Sequence, residues 1–142
     1  PDQFSSYRWR VYLPPRRTKY EICVCDQEIG ETGVPSDMYQ FQRLGLSSAD
    51  MLFGETFTVE VSHRKNSDGN VEWFIRSPRA EMTVPWTSSA TDRQMQTWFP
   101  RDVQILNPTE PVVLLRTRYW PKDQPKTKAD PPLTDGIMVW IR

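Results

Sequence analysis

The stretch "ETFTVEVSHRKNSDGNVEWFIRS", residues 55–77, decides the fold. Phe57, Val59 and Val61 alternate with polar residues, and Val71, Trp73 and Ile75 do so again after Asp68-Gly69. Alternation of this kind reads as a half-buried strand, and two such runs around Asp-Gly read as a β-hairpin. The register comes from asking that both faces be consistent. A two-residue Asp-Gly loop sets Val61 opposite Arg76 and mixes apolar with charged residues along the ladder, which a buried face does not tolerate. A three-residue loop, Ser67-Asp68-Gly69 with Gly69 left-handed, sets Val61 opposite Ile75 and His63 opposite Trp73. On the outer face it brings Glu60 opposite Arg76 and Arg64 opposite Glu72, so this register is predicted.

The same pattern recurs along the chain. Tyr7, Trp9, Val11 and Leu13 share one face of a strand, as do Tyr20, Ile22 and Val24, and then Met82, Val84 and Trp86. Denser runs occur in "DVQIL", "PVVLLRTRYW" and "GIMVWI". About eight strands result, the number expected of an all-β sandwich or barrel. The prediction is one domain, residues 1–142, folded as an antiparallel β-sandwich of the jelly-roll or Ig-like class, with a partly closed barrel as the alternative. Two segments, 36–46 ("SDMYQFQRLGL") and 91–99 ("TDRQMQTWF"), lack β-branched alternation and open with capping residues, so a short helix is expected in each. The loop 121–136 carries Pro, Lys and Asp, and loops of this length tend to be functional or mobile.

"SYRWRVYLPPRR", residues 6–17, poses the functional question, because arginine alternates with aromatics as on a nucleic-acid-binding sheet. A hairpin around "PPRR" that pairs Leu13 with Thr18 sets Val11 opposite Tyr20, Arg10 opposite Glu21 and Arg8 opposite Cys23. An opposite-charge cross-strand pair contributes roughly 0.2–1 kcal/mol, which favours that register. Lys+Arg and Asp+Glu both number 18, so the chain as a whole has no electrostatic drive toward nucleic acid or an anionic membrane. No apolar run approaches the roughly 18 residues of a membrane-spanning helix. The polar beginning, "PDQFSSYRWR", lacks a signal-peptide core and favours the cytoplasm.

Candidate chemistry is sparse. Cys23 and Cys25 point to one face of a strand. Their Cα atoms should lie about 6.5–7 Å apart, at the edge of what a disulfide spans. With His63 they make only three soft ligands at the wrong spacing for structural zinc, so no metal and no cofactor are expected. The bland reading of His63, the chain's one histidine, is a ring packed on Trp73. No nucleophile elbow such as G-x-S-x-G occurs. An enzyme would have to be built on His63 or on the acidic clusters Asp26, Glu28, Glu31 and Asp130, Asp135.

Trp, Tyr and Arg are abundant, and these residues dominate interface hot spots. The leading expectation is a non-enzymatic interaction or structural module that works through loops and an exposed aromatic and arginine face. Its candidate contact residues are Arg8, Arg16, Arg17, Arg116, Arg118, Trp120 and Trp140. The run "GIMVWIR" places Met138 and Trp140 opposite Ile137, Val139 and Ile141, so this strand is apolar on both sides. It must be central, covered by a helix, or covered by a partner, and self-association or a protein partner is expected there. Arg116, Arg118 and Trp120 share one strand face, which keeps a single-stranded nucleic acid binder as the alternative.

Overall fold

The computed structural model describes residues 3–16, 18–35, 41–45, 54–65, 71–86, 93–100, 103–104, 110–121 and 133–142. Ten strands occur among them: β1 Gln3–Leu13, β2 Glu21–Cys25, β3 Gln42–Gly45, β4 Glu55–Lys65, β5 Val71–Arg76, β6 Glu81–Trp86, β7 Arg93–Trp98, β8 Val103–Gln104, β9 Val112–Pro121 and β10 Asp135–Ile141. They form two sheets, ordered β6-β5-β4-β1-β8 and β3-β2-β10-β9-β7. Every pairing is antiparallel except the two-residue contact of β8 with β1. The sheets stay separate rather than closing into one barrel, so the chain is a β-sandwich. No helix among the described residues is long and apolar enough to cross a membrane.

The hairpin of residues 55–77 has the register its sequence requires. Val61 faces Ile75, His63 faces Trp73, Glu60 faces Arg76 and Arg64 faces Glu72. The turn itself, 66–70, lies outside the described residues. The inner face of this sheet contributes Trp9, Val11, Leu13, Val59, Val61, Trp73 and Ile75, all buried against Ile22, Val24, Leu115, Ile137, Val139 and Ile141 of the other sheet. Each such side chain removed from water contributes about 1.5–3 kcal/mol.

Three expectations are corrected. The first two strands do not form a hairpin: β1 pairs along its whole length with β4, and β2 pairs with β3 and β10 in the opposite sheet. Arg8 therefore meets Glu60, and Glu21 meets Arg142 and Arg43 instead of Arg10. One charge pair is worth little beside an eleven-residue ladder that puts Trp9, Val11 and Leu13 in the core. Pro14 and Pro15 carry the chain across the sandwich, and the Tyr20 hydroxyl donates to the Pro14 carbonyl at 2.7 Å to fasten the crossing.

The other two corrections concern the expected helices. Residues 42–45 and 93–98 are strands, β3 on the edge of β2 and β7 on the edge of β9. An open sheet edge supplies ladder hydrogen bonds that local preference cannot foresee, so tertiary pairing overrides it. The starts of both segments, 36–40 and 91–92, lie outside the described residues.

Strand β9 carries one extra residue. Val139 faces Leu115 and Trp140 faces Val113, which leaves Leu114 as a bulge with Leu114 and Leu115 both in the core. The outward side chains are then Val113, Arg116 and Arg118. At the start of β10, Gly136 lies so close to β9 that an added Cβ would sit 1.9 Å from the Thr117 carbonyl oxygen. Gly136→Ala is expected to cost about 1–3 kcal/mol through this overlap. Gly45→Ala, where a Cβ meets open space, should stay within about 0.5 kcal/mol of the parent. Equilibrium urea unfolding of both variants measures the difference.

Candidate functional site

The outer face of the second sheet is apolar where most sandwiches are wet. Cys23 and Cys25 of β2 and Met138 and Trp140 of β10 form a second core there, together with Ile29 and Phe41. The cover is the chain's own segment after β2. Ile29 and Thr134 exchange backbone hydrogen bonds of 2.8 and 3.0 Å, and the Gly136 N–H donates to the Asp26 carbonyl. Phe41 stands edge-on to Trp140 with ring centroids 5.0 Å apart, and the Arg142 guanidinium lies 5.1 Å over Phe41. The doubly apolar strand is thus central and roofed from within. Trp140 is 1% exposed.

Two arginines hold the roof down. Arg116 donates from Nη1 to the Gly30 carbonyl at 2.7 Å and from Nη2 to the Gly33 carbonyl at 2.6 Å. Arg118 donates from Nε to the Ile29 carbonyl at 3.2 Å. Both side chains belong to buried residues. Burial, and for Arg116 the neighbouring charge of Arg118, lowers their pKa, while Glu31 raises that of Arg118. An arginine begins so far above neutrality that both remain cations.

Beside this roof is a cavity of about 350 Å³ lined by Glu31, Thr32, Trp98, Val113, Arg116 and Arg118. Trp98, the last residue of β7 and the cross-strand partner of Arg116, is 53% exposed at its wall. The chain is anchored immediately after it. Phe99 packs on Tyr7 at 5.0 Å, and the Trp9 indole N–H donates to the Pro100 carbonyl at 3.0 Å. These contacts tie the end of β7 to the first sheet and fix where Trp98 emerges.

The remaining sequence candidates are dispersed. Arg8 lies on the outer face of the first sheet, bonded to Glu60 at 2.7 Å. Arg64–Glu72 and Arg76–Glu81 pairs share that face. Arg16 donates to the Thr18 and Lys19 carbonyls and lies 3.6 Å over the Tyr20 ring, bracing its own turn. Arg17 lies outside the described residues, as does the side chain of Trp120, whose backbone pairs with Gln94. Arg8 and the Arg116–Arg118 pair therefore occupy opposite outer faces of the sandwich and do not converge. The residues that sequence reasoning missed are Thr32, Val113 and Trp98, while Glu31 entered it only as one of an acidic cluster. Trp98 was legible only as part of an expected helix, and nothing in the loop sequence announced that it would fold over Arg116.

The reactive side chains are engaged in packing. His63 stacks on Trp73 with centroids 4.4 Å apart and on Tyr7 at 6.4 Å, and burial lowers its pKa from the ordinary 6.5. Both cysteines are free and buried, and burial pushes each thiol up to about 12 against the lowering effect of nearby arginines. No cluster of three metal-ligating side chains occurs among the described residues.

Two measurements probe these environments. The folded chain favours the neutral His63 ring, so the unfolded chain takes up the proton first as pH falls. The stabilisation from this residue is complete above about 6.5 and declines as the pH drops through the lower folded value. Subtracting the pH–stability curve of His63→Phe from that of the parent should show this decline. A thiol-specific reagent should leave Cys23 and Cys25 unmodified in the folded protein at neutral pH and label both once denaturant unfolds it.

Comparison with known proteins finds no family model, no curated protein and no solved structure that matches this chain.

Proposed function

We propose that this chain is a non-enzymatic interaction module whose contact region is the Trp98 side of the second sheet. One observation carries the reading: a half-exposed tryptophan, held in place by its neighbours, stands at the wall of a pocket lined by two buried arginines. Tryptophan and arginine in this arrangement are the anchors that concentrate binding energy at interfaces. The environments of the two thiols and of His63 support the same reading, because their chemistry is turned toward packing. Self-association through β10 loses its motive, since the apolar face that asked for a partner is covered by Ile29 and Phe41.

A fragment screen read out by the indole N–H resonances in NMR tests the reading. Fragments should shift the Trp98 signal, remain chemically unchanged on long incubation, and bind about tenfold or more weakly to Trp98→Ala. Tyr12→Ala, an exposed aromatic on the other sheet, should bind them as the parent does. Conversion of a fragment to product, or binding that ignores Trp98→Ala, overturns the proposal.

A further inference from the structure

The charges around the Trp98 pocket narrow what it takes. Among the described residues its lining holds two guanidinium groups, Arg116 and Arg118, and one carboxylate, Glu31. The Arg116 hydrogen bonds to Gly30 and Gly33 go to carbonyls, which are dipoles and leave its positive charge in place. Arg118, two residues along the same strand face, adds a like charge, and Glu31 acts on Arg118. Among the described residues the Arg116 charge thus meets carbonyls and no carboxylate, within a partly closed cavity where fields are stronger than in bulk water. Arg116 has five N–H donors, more than two carbonyls require. The other wall is apolar, made by Trp98 and Val113.

The geometry points to a pocket for a carboxylate joined to a flat apolar group, with the acid toward Arg116 and Arg118 and the flat group against Trp98. This inference rests on the interaction-module reading and names the ligand class of the same site. A volume of about 350 Å³ is near the lower end of ligand pockets, room for one ring and its acid. Two sources share that chemistry: a free aromatic acid, and the C-terminal residue of a partner chain. Glu31 faces the incoming anion as a like charge, which gives the inference a signature that simple hydrophobic binding lacks.

Titration of the full chain with benzoate, N-acetyl-phenylalanine, N-acetyl-phenylalaninamide and inorganic phosphate tests it by ligand-observed and indole NMR. N-acetyl-phenylalanine should bind in the millimolar range and its amide at least about tenfold more weakly, with benzoate deciding the source. Trp98→Ala should weaken the acids about tenfold, and added salt should weaken them too. Glu31→Gln should tighten them several-fold by removing a like charge. Trp98 and Glu31 are both exposed, so these variants keep the fold. Binding of N-acetyl-phenylalanine without benzoate assigns the site to a chain terminus, and comparable binding of both assigns it to free acids. Amide binding equal to acid binding, phosphate binding alone, or weaker acid binding by Glu31→Gln overturns the inference. If the acids fail while screened fragments still shift Trp98, only the ligand class falls. If no fragment shifts Trp98 either, the module reading falls with it.

Discussion

A sheet that is apolar on both faces has to be covered twice, and much of this molecule depends on that requirement. The inner face of the second sheet meets the first sheet across the sandwich core. Its outer face, with Cys23, Cys25, Met138 and Trp140, would expose a patch that monomers rarely leave open. The segment after β2 closes it, and such a segment brings its own backbone polar groups under cover. Those groups need partners. Arg116 and Arg118 supply them, and the outward parity of both residues on β9 is what allows it.

The arrangement also explains how two cations tolerate burial side by side. A guanidinium is a planar fork that can serve several acceptors at once, and the carbonyls of Ile29, Gly30 and Gly33 solvate the pair much as water would. The backbone bends to present them. Glu28 adopts a left-handed conformation at φ 56° and Gly33 another at φ 76°. Such a conformation costs a residue with a Cβ about 1–2 kcal/mol. Glu28 is held in it by the bridge that its neighbour Ile29 makes to Thr134.

What the sequence disclosed and withheld divides along physical lines. The hairpin of β4 and β5 was legible to the register because each face had one polarity and the turn lay between them. The crossover after β1 was not, since Val11 and Tyr20 satisfy a hairpin and a sandwich equally well; only the competing partner, β4, decides. The strands β3 and β7 read as helices because both are edges, where one side of the ladder is absent and the alternation is weak. For the candidate site, the shared face of Arg116 and Arg118 could be read from spacing. Their burial could have been inferred from "GIMVWIR", because Met138 is the cross-strand neighbour of Arg116 and must share its cover. The cavity wall came from Trp98 and the loop residues Glu31 and Thr32, which no periodicity places.

The position of β10 has a consequence for how the chain reaches its native state. It lies in the middle of the second sheet, between β2 and β9, yet it comes after every other strand in chain order. Val24 can find its partner Val139 only after nearly all the other strands have been made. Until then β2 and β9 lack the neighbour that joins them, and the roof cannot bridge to Thr134. Pairings this distant in sequence are slow to form, and the strands left waiting are adhesive toward other chains. During synthesis the roof over the arginine pocket can therefore close only once β10 has been made, and a chain released before then would be sticky before it could bind selectively.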